Sequence, residues 1–208
     1  MSHLAKMLRQ LCMTIGAIIL ITGLAITLAN SLPYLFGGSA YREFFGDRDP
    51  SGSRSIVLLL HVAPGIVALL VGPWQLAKLG ARVHRSIGLI YCFCVLLSSA
   101  GSLVVAPYAI GGPVASLGFG VLGFAWLSAT LLGLLAIAFS RVSDHREWML
   151  RSYALTCSAV VFRLELAALN GLLGIEFERA YAFSAWASWL PMLVLAEAWI
   201  RSHGTGRK

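Results

Sequence analysis

Six long apolar runs alternate with shorter polar segments along the chain. A helix of about 20 mostly apolar residues spans the hydrocarbon core of a bilayer, and each run is close to that length. The pattern therefore predicts an all-α, polytopic membrane helix bundle of about six transmembrane helices, which forms a single integral-membrane domain over residues 1–208. The predicted spans are residues 11–29, 55–77, 86–107, 115–140, 148–174 and 180–200.

The first run follows the basic start MSHLAKMLRQ, as the apolar core of a signal peptide would. Residues 11–29 are longer than such a core, which has about 7–15 residues. We therefore expect this segment to be retained as a helix.

Lysine and arginine residues fall unevenly on the two sides of the predicted spans. The tails and the loops on their side carry eleven of them, the opposite side carries four, and Arg163 lies inside a span. Short loops rich in lysine and arginine stay in the cytoplasm. We therefore expect both termini to be cytoplasmic, in a multi-pass protein of a bacterial inner (plasma) membrane.

The composition agrees with a membrane protein and argues against a soluble one. The chain is 58% hydrophobic and 12% charged, with a mean hydropathy of +0.80, whereas soluble domains are about 25% charged. A net charge of +7 would suggest a nucleic-acid partner in a soluble protein. Here the basic residues lie between apolar runs, so we expect contact with membrane lipid and no nucleic acid.

Two histidines share one sequence context. His84 and His145 are each followed by arginine, and each opens an apolar run, in HRSIGLIY and HREWMLRSY. The third and fifth spans both start on the cytoplasmic side, so the two imidazoles are expected at a similar depth. Imidazole is a common metal ligand, and two facing histidines can hold haem iron axially. The pattern predicts a b-type haem site, with His84 and His145 as its iron ligands.

Four further residues complete this predicted cofactor site. Gly88 and Tyr91 lie four and seven residues after His84, on the same helical stripe, and Gly88 would clear space for a flat macrocycle. Arg85 and Arg146 could pair with the haem propionates, since guanidinium matches carboxylate geometry. The alternative is that both His-Arg pairs anchor their helices among anionic lipid headgroups.

A second polar group is expected in the outer half of the membrane. His61 in the second span and Arg163 and Glu165 in the fifth fall at a similar depth, and ionisable residues inside spans are candidates for function. Arg163 and Glu165 are two residues apart and cannot pair with each other on one helix. One stripe of the fifth span runs from His145 through Arg163 to Asn170, so these residues predict an intramembrane polar centre. The alternative is a static ion pair or carbonyl clamp between spans.

Three segments together resemble a bacterial integral-membrane family catalogued as domain of unknown function 2306. They are HVAPGIVALLVGPWQ, HRSIGLIY and HREWMLRSYALTCSAVVFRLELAALNG. The likeness covers about residues 55–175, and HREWMLRSYALT is its most specific piece. The resemblance implies a membrane bundle and brings no established activity with it.

The histidine pattern is also similar, at the level of the fold, to six-helix transmembrane b-type cytochromes. Those proteins pair histidines of the third and fifth helices around one haem, and of the second and fourth around another. By this likeness His84 and His145 form the first pair. The fourth span contains no histidine, so a second haem with two histidine ligands is excluded.

Three functions stay open at this point. The first is electron transfer through one b-type haem, with quinone as partner and His61, Arg163 and Glu165 as an outer proton or quinone site. The second is a small-solute transporter in which the polar stripe of the fifth span lines the route. The third is an assembly or helper protein for a membrane complex, with a respiratory-complex subunit as partner.

Overall fold

The computed structural model describes residues 21–32, 53–76 and 80–203, and every regular element in these ranges is helical. Residues 11–20 of the first predicted span lie outside them. The helices, numbered in chain order, are α1 (Ile21–Leu32), α2 (Ser53–Leu76), α3 (Ala81–Val105), α4 (Gly112–Ala138), α5 (Val142–Leu166), α6 (Phe177–Ala187) and α7 (Leu190–His203).

Five described segments are long and apolar enough to cross a membrane, which confirms a polytopic helix bundle. They correspond to the second to sixth predicted spans. The third and fifth begin about five residues earlier than expected, because the polar turns before the apolar runs are also helical. Arginine and glutamate are good helix formers, and hydropathy alone does not detect a polar first turn.

The sixth span is interrupted in a way that the apolar run did not predict. α6 ends at Ala187 and α7 begins at Leu190, with a turn at Ser188 and Trp189 between them. Pro191 follows in the first turn of α7, where its missing N–H and its ring disfavour a continuous helix. The span therefore consists of two helices joined at a break within the apolar region.

The fifth span changes helix type at its end. A π-helical turn, Ala167–Leu172, continues α5 beyond Leu166. Such turns are rare and are often found at functional sites. A 3₁₀ turn, Ala106–Tyr108, follows the last residue of α3 in the same way.

Helices α2 to α5 form a ring in which each packs against the next and α2 also touches α5. α6 packs on α4 and α5, and α7 packs on α5. α1 lies against α5, where Gly23 approaches Val160 and Leu164. The centre of the bundle is filled by a cluster of mostly aromatic and aliphatic side chains, among them Tyr91, Val95, Trp126, Leu155 and Trp189.

Small residues allow the helix backbones to approach closely. A Cβ atom at Gly101 of α3 would lie 3.2 Å from the backbone nitrogen of His61 and from the carbonyl oxygen of Val57 in α2. Gly118 of α4 is closer still to α6, since a Cβ atom there would lie 2.9 Å from the Ala185 carbonyl oxygen. Close backbone approach at small residues is a main source of helix association in lipid.

We predict that Gly118→Ala weakens the docking of α6 on α4. The added methyl group meets backbone, which cannot rotate away, so the expected loss is about 1–3 kcal/mol of unfolding free energy. SDS-induced unfolding followed by circular dichroism measures it. Gly120→Ala is the matched control, because a Cβ atom there meets no atom within 4 Å. Equal stability of the two variants would contradict the packing described here.

Candidate functional sites within the bundle

A network of buried hydroxyl groups links three helices at the centre of the bundle. Tyr91 of α3 is 1% exposed, and its hydroxyl shares hydrogen bonds of 2.9 Å with the hydroxyls of Ser152 and Thr156 in α5. From α4, the Thr130 hydroxyl bonds Ser152 at 2.8 Å and the Trp126 indole N–H donates to Thr156 at 2.9 Å. Each of these polar groups therefore has a partner in a region where lipid offers none.

This network changes the expected role of Tyr91. The sequence places Tyr91 in the wall of a cofactor site, and in the structure its hydroxyl links α3 to α5 across the ring of helices. Trp126 and Thr130 were not identified from the sequence, because a lone tryptophan or threonine in a span has no distinguishing pattern. Ser152 and Thr156 lie on the polar stripe that begins at His145.

The two candidate iron ligands, His84 and His145, can be located along their helices relative to this network. His84 lies seven residues before Tyr91, and His145 lies seven residues before Ser152. Seven residues are close to two helical turns, so each histidine shares the stripe of its network partner. Both histidines therefore belong to the end of the bundle that is formed by the first turns of α3 and α5. We call this the histidine end.

The His145 ring is oriented by the backbone of α4. Its Nδ1 atom lies 2.8 Å from the Gly133 carbonyl oxygen, and a carbonyl can only accept, so Nδ1 carries the proton. The lone pair of the other ring nitrogen, Nε2, is then available to a ligand. Ligating histidines commonly donate their second ring nitrogen to a carbonyl in this way. His84 is partly buried, in the first turn of α3.

The surroundings of His84 and His145 differ from those of the predicted haem site. The space beside Gly88 is filled by Gln75 of α2, whose Oε1 atom would lie 3.1 Å from a Cβ atom at Gly88. Met149 fills the corresponding space beside Gly133. Gly88 therefore serves the packing of α2 on α3 instead of opening an interior cavity. Arg85 and Arg146 are both exposed at the histidine end.

His61 is tied to α3. Its Nδ1 atom lies 2.9 Å from the Ser98 carbonyl oxygen and 3.2 Å from the Ser98 hydroxyl, and that hydroxyl donates to the His61 carbonyl at 2.6 Å. These hydrogen bonds fit a packing residue of the α2–α3 interface.

Arg163 and Glu165 face different helices, as their spacing predicts. Arg163 donates to the Ala159 carbonyl at 3.1 Å and to the Ser31 hydroxyl of α1 at 3.1 Å. Glu165 lies beside the Ser184 hydroxyl of α6. Among the described residues, no hydrogen bond joins His61, Arg163 and Glu165 directly, and their neighbours named here lie on α3, α1 and α6.

Asn170 does not belong to this interior group. It is exposed, within the π-helical turn, and its side-chain amide donates to the Ile175 carbonyl at 2.9 Å. The hydrogen bond closes the turn before α6. The polar stripe of α5 therefore faces the interior only as far as Arg163, because the change to π-helical geometry rotates the following residues.

An ion pair that the sequence did not suggest joins α5 to α7. The Arg151 guanidinium bonds both carboxylate oxygens of Glu197, at 2.5 and 3.1 Å. It also lies 3.8 Å from Glu147 and stacks 4.6 Å above the Trp148 ring. Arg151 lies near the start of the predicted fifth span, and its side chain is only 16% exposed. The sequence alone does not indicate that Arg151 contacts Glu197 of another helix.

The packing and these interior polar contacts define a multi-pass membrane protein built as an all-helical bundle. Residues 58–200 match the model of a family described as predicted membrane protein (DUF2306). The match covers more than half of the chain, so the chain belongs to this family, and it extends through the sixth span beyond the segment that the sequence motifs indicated. No curated protein and no solved structure matches the chain.

We predict that Glu197→Gln loosens α7 from α5. The substitution leaves Arg151 with a weaker partner, at a cost of about 1–3 kcal/mol, between the values for exposed and fully buried pairs. The unfolding free energy in SDS measures the loss. Glu178→Gln is the control, since Glu178 is exposed on α6 and is expected to change stability by less than about 0.5 kcal/mol. A loss no larger in Glu197→Gln than in the control would contradict a stabilising pair.

Proposed function

We propose that the protein is a redox membrane protein that binds one b-type haem between His84 and His145. The observation that carries the proposal is the register of α3 against α5, which is set by the hydrogen bonds from Tyr91 to Ser152 and Thr156. Each histidine lies two helical turns before its network partner, which supports two imidazoles at a similar level. The sequence predicts a similar depth for the two imidazoles, and these hydrogen bonds between α3 and α5 support it independently.

The donor set supports a haem over a free metal ion. The described residues contain no group of three or more histidine, cysteine, aspartate or glutamate side chains that could hold a metal. Two imidazoles suit an iron whose four equatorial ligands come from a macrocycle. The orientation of His145 by the Gly133 carbonyl is of the kind that fixes a ligating ring.

The position of the pair limits where the macrocycle fits. Gln75 and Met149 close the interior next to the two histidines, which leaves the polar mouth of the histidine end for the ring. Arg85 and Arg146 are exposed there and would pair with the propionates. Bound haem would supply one-electron chemistry. Its electron partner would be a quinone or a respiratory-complex subunit, since both are found in membranes.

The test is an absorbance spectrum of the purified protein, oxidised and dithionite-reduced, after expression with ample haem. We expect a reduced band of b type that is lost in His84→Ala and in His145→Ala. His203→Ala is the control, because His203 is exposed at the end of α7 and stacks on Trp199. It should keep the band.

A colourless protein would contradict the proposal, and so would a band that survives both substitutions. Solute uptake by vesicles that contain the colourless protein would then favour a transporter. Copurification with a respiratory-complex subunit would favour an assembly protein.

A further inference from the structure

Two buried serines in the sixth span behave unlike the other buried hydroxyl residues. Ser184 and Ser188 are both 0% exposed, and neither hydroxyl makes a hydrogen bond of normal geometry to any described residue. Serine in a helix commonly donates to a carbonyl of the preceding turn, as Ser99 and Ser158 do. Every other buried serine or threonine in the described ranges has a partner. A buried hydroxyl without a partner is uncommon in folded proteins, and a bound ion is one arrangement that would satisfy it.

A carboxylate oxygen close to Ser184 also lacks a hydrogen-bond partner. Glu165 faces Ser184 across the α5–α6 interface, yet its Oε2 atom is buried and makes no hydrogen bond of normal geometry within the described part of the chain. Ser184 and Ser188 are one helical turn apart, on one stripe of the sixth span. The Glu165 carboxylate and the Ser184 hydroxyl therefore face each other, and the unpartnered Ser188 hydroxyl lies one helical turn further along the sixth span.

The break between α6 and α7 adds a further oxygen. α6 ends at Ala187, and the residue four positions on is Pro191, which has no N–H to donate to the Ala187 carbonyl. The end of a helix also carries a partial negative charge. Broken membrane helices with such carbonyls hold Na⁺ or protons in transporters as a class.

We propose that Glu165, Ser184, Ser188 and the carbonyl end of α6 bind one small monovalent cation of the Na⁺ type. All the donors are hard oxygen atoms, which suit alkali and alkaline-earth ions over transition metals. There is one carboxylate, so a single positive charge neutralises it. A divalent ion would leave excess positive charge inside the membrane, two residues from Arg163.

The bound cation would join α5 to the broken sixth span. Glu165 lies just before the π-helical turn Ala167–Leu172, and the serines lie at the end of α6. Occupancy of a site that exists only in the folded protein raises stability as the ligand concentration rises. The protein is therefore expected to be more stable in sodium chloride than in choline chloride at equal ionic strength.

The direct test is binding of radioactive sodium to the purified full-length protein in detergent. We expect one saturable site per chain, displaced by unlabelled sodium and not by choline. Glu165→Gln and Ser184→Ala should each weaken binding at least about tenfold, the effect of losing roughly 1.4 kcal/mol. Ser99→Ala is the matched control: Ser99 is equally buried, but its hydroxyl already bonds the Leu96 carbonyl, so binding should be unchanged.

Absence of saturable sodium binding would overturn the proposal. Unchanged binding in a monodisperse Glu165→Gln protein would do the same. If that variant does not fold, Ser188→Ala decides between the outcomes, because it removes one oxygen and leaves the carboxylate in place. The result is independent of the haem proposal, since His84→Ala and His145→Ala alter the opposite half of the bundle and should leave sodium binding intact.

Discussion

Hydrogen bonding of polar groups inside an apolar environment is the constraint on which this bundle depends. Lipid offers no partners to a buried hydroxyl, so each one needs a partner in the protein or in a bound ligand. The Tyr91 hydroxyl meets this requirement by reaching across to Ser152 and Thr156, and Trp126 and Thr130 complete the same network from α4. Apolar packing alone would let the helices slide, whereas these bonds permit one register of α3, α4 and α5.

That register connects the fold to the proposed chemistry at both ends of the bundle. At the histidine end, His84 and His145 lie two helical turns before Tyr91 and Ser152 on their own helices. In the other half, Glu165 projects from α5 towards Ser184 and the broken sixth span. The two proposed sites share α5 as their common element. Each can be removed by substitution without touching the side chains of the other.

Much of the fold follows from the sequence, because runs of about 20 apolar residues leave few alternatives to a spanning helix. The break before Pro191 and the π-helical turn at Asn170 did not follow, since hydropathy does not record backbone hydrogen bonds. The sequence identified His61, Arg163 and Glu165 as unusual. It could not show that they face three different helices, nor that Arg151 pairs with Glu197, because partners across a bundle are set by rotation and register.

The most direct test of the account is a double-mutant cycle on Tyr91→Phe and Ser152→Ala, with unfolding free energies measured in SDS or by steric trapping. Each single substitution removes a hydroxyl and little volume. If the two hydroxyls hold α3 against α5, the cycle should give a coupling free energy of about 0.5–1.5 kcal/mol, as for strong interhelical hydrogen bonds in membranes. Strictly additive effects would show that the two groups do not interact and would remove the basis for the register.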